Sequence, residues 1–198
     1  MIKTIASVPL GYISPISPFI NDLDFGIVAR NTIINLLALT VPDKAQAAEC
    51  MLHVWYSAFI RQGDADLLAR HVRPLFEEVN SKIATKPPGT ILGKTWKFGS
   101  HSCRVELTKE KWQSLLKYLE VPRGLSTEQA HQVRVAVTTA KERRDYRERR
   151  MIVQAPAHRL CNIKFREDGI LLPFGGSRHA FSIPNPYVMR NTCQSLLG

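Results

Sequence analysis

Apolar residues recur at helical spacing just after an acidic turn near the start of the chain. Ile27, Val28, Ile34 and Leu37 form a stripe that predicts a helix from about Phe25 to Leu39. Asp24 stands before it, where a carboxylate accepts the free N–H groups of the first turn. The preceding run, Ser17 to Leu23, fits a short strand ending in that turn. A second helix is predicted over 45–61, with Pro42 fitting its first turn. Met51, Leu52, Val54, Trp55, Ala58 and Phe59 make it apolar around much of its girth, so it is expected to be central. Gly63 should end it and Asp64 should cap a third helix reaching Asn80. Pro74 lies inside the third pattern and predicts a kink or break near Arg73.

Residues 81–105 carry Pro87, Pro88, Gly89, Gly93 and Gly99 and read as irregular, with one strand around Thr95–Phe98. Thr108 is placed to cap a helix over 109–120, whose inner face holds Trp112, Leu115, Leu116 and Leu119. Ser126 and Gln129 form a capping box, which opens a long helix predicted to reach Arg150. Cys161 to Arg166 alternates apolar and polar residues, Asp168-Gly169 is a hairpin turn signal, and Pro173 limits the following run to an edge strand. The pattern gives a helix-rich α/β fold with a C-terminal β-hairpin. It reads as a single domain over 1–198, with an irregular start (1–18), a helix-rich body (19–150) and a proline-punctuated tail (151–198).

Composition changes this picture in one respect. Across 198 residues, 27 Lys and Arg face 17 Asp and Glu, a net charge of +10. The first hundred residues hold 10 basic and 8 acidic side chains, the remainder 17 and 9, so an electrostatic role belongs to the C-terminal half. The surplus concentrates between Arg123 and Arg166. Arg143, Arg144, Arg147 and Arg150 fall on one side of a helix, and Tyr146 could stack on a base, which with Arg166 makes a candidate nucleic-acid or anionic-partner surface. Glu142, Asp145 and Glu148 are interleaved, as in a solvated helix laced with ion pairs. No apolar run approaches the roughly 18 residues of a membrane span. Pro9, Gly11, Pro15 and Pro18 interrupt the apolar start, so no secretory signal is expected, and the chain reads as intracellular and cytoplasmic.

Catalytic and metal chemistry is thin. Cys50, Cys103, Cys161 and Cys193 include no CxxC pair; Cys50 with His53, and His101 with Cys103, are the closest ligand-type pairs. Buried or idle thiols, and no metal site, are the expectation. The segment Phe98-Gly99-Ser100-His101 lacks the spacing of a nucleophile elbow, and Gly89 to Lys94 lacks that of a phosphate-binding loop. No residue is assigned a catalytic role.

Two segments together carry a family likeness. One is Phe-Ile-Asn-Asp-Leu-Asp-Phe-Gly-Ile-Val-Ala-Arg-Asn-Thr-Ile-Ile-Asn-Leu-Leu over 19–37. The other joins Pro156-Ala-His-Arg, Lys164-Phe-Arg-Glu-Asp-Gly-Ile-Leu-Leu-Pro-Phe-Gly175 and Phe181-Ser-Ile-Pro-Asn-Pro186. The combination resembles the fungal domain of unknown function 4470, which accompanies MYND-type zinc fingers and is related to the N-terminal part of a dynein axonemal assembly factor. The resemblance implies a Rossmann-like sheet similar to class I methyltransferases. It also implies that an acidic residue at a strand end, with Asn21, Asp22 and Asp24 as candidates, holds the ribose of S-adenosylmethionine.

This chain departs from that pattern. Residues 1–18 offer one glycine and three prolines, with no GxGxG turn, so the sheet is expected to be truncated and to lack its first βα unit. The resulting expectation is a non-catalytic protein-interaction or scaffold module without a cofactor. The alternatives are a residual S-adenosylmethionine-dependent methyltransferase and a nucleic-acid binder using 123–166. An incomplete sheet would also leave an open edge for pairing with a second copy.

Overall fold

The fold is taken from a computed structural model, which describes residues 5–138, 149, 151–173 and 175–190. An exposed arm over residues 9–24, in neither helix nor strand and turning at Pro9–Tyr12, leads into the first long helix. Helix α1 (Phe25–Thr40) and helix α2 (Lys44–Tyr56) follow, then a three-residue strand β1 (Phe59–Arg61). Helix α3 (Gln62–Leu67) runs through a π-helical segment (Leu68–Val72) into α4 (Arg73–Ile83). A β-hairpin of β2 (Ile91–Phe98) and β3 (His101–Thr108) leads into α5 (Lys109–Lys117). Helices α6 (Thr127–Thr138) and α7 (Pro156–Asp168) and strand β4 (Phe181–Pro184) complete the described elements.

The caps fall where side-chain chemistry puts them. Asp24 Oδ1 accepts from Gly26 N at 2.7 Å, Asp43 Oδ1 accepts from Ala45 N and Gln46 N, and Thr108 caps α5. Ser126 and Gln129 form the reciprocal box, with Gln129 Oε1 accepting from Ser126 N at 2.9 Å and Ser126 Oγ from Gln129 N at 3.1 Å. Pro74 does not break its helix. It sits in the first turn of α4, and the wider π turn just before it accommodates a residue that has no N–H to give and whose ring crowds the carbonyl four back.

Four expectations are corrected. The Rossmann-like sheet is not formed among the described residues: β1 pairs with β4 and β2 with β3, each as a two-stranded antiparallel ladder. The run 17–23 is not a strand, so Asn21, Asp22 and Asp24 do not stand at a strand end. Asp168-Gly169 closes no hairpin; it terminates α7, with Gly169 at φ +71° as the left-handed cap, donating to Phe165 O. The same left-handed glycine serves a hairpin turn or a helix C-terminus, and the alternation over 161–166 was outweighed by helix-forming residues on both sides. Finally, α2 stops at Tyr56 and Gly63 lies inside α3, because Phe59–Arg61 is claimed by β4. Asp64 acts from the third position of α3, accepting from Arg61 N at 3.1 Å. The predicted extension of α6 to Arg150 lies outside the described residues.

The main core is built around α1, with Ala29, Ile33, Leu36 and Leu37 against Val54, Val72, Phe76 and Leu115. Trp112 is fully buried, its Nε1 donating to Leu92 O at 2.9 Å, and it meets Trp96 edge-on. This docks the outer hairpin on α4 and α5. A smaller core gathers Ala58, Phe59, Ala130, Ile170, Phe181 and Met189, so residues 170–189 pack back on the end of α2 and on α6.

Candidate interaction surface

Two polar constellations stand out, and the first is internal. Asp64, 1% exposed, receives Arg61 Nε at 3.0 Å and Nη2 at 2.9 Å, and Arg61 Nη1 also donates to Glu49 at 2.9 Å. The Asp64 hydrogen bond is the main reason the Arg61 guanidinium is held above its ordinary pKa. His53 is buried alongside, its Nδ1 3.3 Å from Ser57 Oγ and its ring 4.7 Å from that of Phe181. Burial pushes the imidazole below its ordinary pKa, opposed by Asp64. Asn185, fully buried, completes this knot. Its Nδ2 donates to the carbonyls of His53, Val54 and Ser57, which end α2, and its Oδ1 accepts from Tyr187 N. The knot fastens residues 185–187 to the end of α2. Such buried carbonyls are costly to leave unmade.

The second constellation runs from the core out to the surface where α1, α2, α5 and residues 186–190 converge: Tyr118 and Tyr187 are buried, Phe25, Arg30 and Trp55 half-buried, and Tyr56 exposed. Phe25 meets Tyr118 edge-on at 5.8 Å, and Tyr118 meets Tyr187 at 6.0 Å. Arg30 Cζ lies 5.0 Å from the Trp55 ring centre and 5.8 Å from that of Tyr187, and Trp55 stacks on Tyr56 with centroids 5.0 Å apart. Lys111 lies over Phe25 and Arg190 over Tyr118. Burial, and after it the nearby Asp24 carboxylate, raises the Tyr118 phenol above its ordinary pKa. This row of rings and cations begins where the N-terminal arm ends, at Asp24 and Phe25.

The arm is the other half of the surface. Residues 5–21 contain no charged side chain. Leu10, Ile13, Phe19 and Leu23 are each at least 95% exposed. Pro9, Pro15 and Pro18 favour extended backbone and deny it the N–H groups of a central strand.

The residues singled out from sequence are only partly brought together. Asp22 Oδ1 accepts from Asp24 N at 2.9 Å, so Asp22 forms a turn and Asp24 caps α1. Arg166 lies on α7, where its carbonyl accepts from Arg134. Arg143, Arg144, Arg147 and Arg150 lie outside the described residues. Cys50 and His53 are on α2, and His101 and Cys103 on β3; among the described residues no group of three or more His, Cys, Asp or Glu side chains is placed to hold a metal ion. Arg30 escaped sequence reading altogether. Its one visible signal is that it is the sole charged residue in α1.

No helix among the described residues is long and apolar enough to cross a membrane. Residues 1–60 match the family described as Domain of unknown function (DUF4470). Neither the curated proteins nor the solved structures yielded a match. The matched stretch holds the arm, α1, α2 and the first two residues of β1, so it contributes Phe25, Arg30, Trp55 and Tyr56 to the row but neither Tyr118 nor Tyr187. By sequence and fold together, the chain is helix-rich α/β and similar over its first 60 residues to a domain of unknown function.

Proposed function

We propose that this chain is a non-catalytic protein-interaction module whose partner surface is the N-terminal arm together with the ring-and-cation row it leads into. The observation that carries this is the arm. A contiguous apolar segment with four large side chains in water is costly alone and typical of a surface completed by another protein. Its prolines restrict it to extended conformations, so less entropy is lost when a partner orders it. Of the row beside it, Phe25, Arg30, Trp55 and Tyr56 reach the surface, and they are aromatic and arginine side chains, the types that concentrate binding energy at interfaces.

The test is partner retention by the intact chain and by a variant carrying Phe19→Ser and Leu23→Ser. Both positions are exposed, so the fold should be unaffected, with unchanged circular dichroism. A partner held by the wild-type chain and released by the variant is the expected result. Equal retention by both chains, or retention of none, would sink the proposal.

A further inference from the structure

Arg30 differs from three other half-buried arginines, each of which holds a carboxylate. Arg61 reaches Glu49 and Asp64, Arg73 reaches Glu120 at 3.1 Å, and Arg178 reaches Asp168. Among the described residues Arg30 has no carboxylate within ion-pair distance, and its Nε is buried with no hydrogen-bond partner. Trp55 and Tyr187 instead lie against the guanidinium. Of its three nitrogens, only Nε is sealed from solvent without a partner. The Nη1 and Nη2 fork therefore stays accessible while the rings restrain its plane.

We propose that the Arg30 fork, braced by Trp55 and Tyr187, is a receptor for a single Asp or Glu side chain in a partner peptide that is otherwise apolar. Two parallel N–H groups match the two oxygens of a carboxylate, and a fork already restrained loses little freedom on binding. Lys111 and Arg190 stand over other rings of the same row, Phe25 and Tyr118, so the DNA probe below separates a carboxylate from a polyphosphate. Arg30 is the only charge on α1, and the neighbouring surface of α2 presents Leu52 and Tyr56, each nearly half exposed. A nucleic-acid backbone is held by several cations acting together. One carboxylate suits the single guanidinium fork held between Trp55 and Tyr187.

This inference rests on the interaction-module reading, yet the two fail separately. The arm variant is read on partner retention, whereas here the contrast is between peptides. The probes are a labelled Leu-rich peptide with one Glu (the Leu–Glu peptide), its counterpart with Gln in that place (the Leu–Gln peptide), and a mixed-sequence single-stranded DNA, followed by fluorescence polarisation with the full chain. The wild-type chain should bind the Leu–Glu peptide about tenfold more tightly than the Leu–Gln peptide, equivalent to about 1.4 kcal/mol. Arg30→Lys keeps the charge but loses the fork and should remove most of that preference, and Arg30→Gln all of it. Equal affinity of the wild-type chain for both peptides, or tighter binding to DNA, would overturn the proposal without recourse to any variant. An undiminished Glu preference in Arg30→Lys and Arg30→Gln would overturn it as well.

Discussion

Asn185 Nδ2 lies 2.7 Å from the carbonyl oxygen of Ser57, a contact that spans 128 residues of chain. The same amide group reaches the carbonyls of His53 and Val54, so one side chain closes the end of α2. The His53 carbonyl keeps Ser57 N as a donor, but Asn185→Ala should deprive those of Val54 and Ser57 of the amide and cost about 3 kcal/mol, given about 1–3 kcal/mol for each such group and some relaxation. The corresponding fall in melting temperature is roughly 6–12 °C. Calorimetry checks it, and a loss under about 1 kcal/mol would show that water replaces the amide. Asn185→Asp should be worse, because a carboxylate would face three carbonyl oxygens.

Gly169 is a second point without slack. Its φ of +71° is strained for any side chain, and a Cβ there would stand 2.9 Å from the Ala58 Cβ and against the Arg134 side chain. Gly169→Ala should destabilise by about 2–3 kcal/mol through strain and overpacking together. Urea titration measures this. Shortening Arg134 should not restore the loss, because the backbone strain and Ala58 remain.

Stability should fall as pH drops below the ordinary histidine range. Burial lowers the folded His53 pKa from its ordinary value of 6.5, so between those two pKa values the unfolded chain binds a proton that the folded chain refuses. Stability then rises with pH across that window, at no more than about 1.4 kcal/mol per pH unit. Glu49 at 3.8 Å and Asp64 moderate the effect, and Arg61 adds to it. The midpoint of urea unfolding, followed from neutral pH downward, should shift in the wild-type chain and flatten in His53→Gln. A midpoint equally pH-dependent in both chains would assign the titration elsewhere.

Cys50 should resist thiol reagents in the folded chain. Burial first, then the Asp64 charge, push its thiol up to about 12, and its Sγ is 3.8 Å from the Asp64 carbonyl oxygen. Only the thiolate reacts. Peptide mapping after brief alkylation at neutral pH should find Cys50 unmodified until denaturant is added, and early modification would show that the α2 end opens in the native state.

The sequence was most legible where a side chain acts on its own neighbours. Asp24, Thr108 and the Ser126–Gln129 pair are caps in the fold as in the reading, since a cap needs only residues within one turn. It was least legible where the partner is remote. Phe59, Ile60 and Arg61 continue an apolar helical pattern, and only β4 turns them into a strand. The β2–β3 hairpin was half seen. Gly99, at φ +58°, opens a two-residue turn pairing Phe98 with His101, and the same Gly-Ser pair that lacks a nucleophile elbow's spacing is a local turn signal. Arg30 was invisible for the same reason as β1, because its rings come from α2 and from residue 187.

The Ser57–Asn185 contact also orders events in time. A ribosome delivers Ser57 first, and at roughly 5–20 residues per second Asn185 follows about ten seconds later. Through that interval the Val54 and Ser57 carbonyls lack the Asn185 amide, and β1 has no strand beside it. Closure of the fold is thus a late step of biogenesis, and a nascent chain stalled before Phe181 would display an unpaired β1 to chaperones or to its neighbours on the same message.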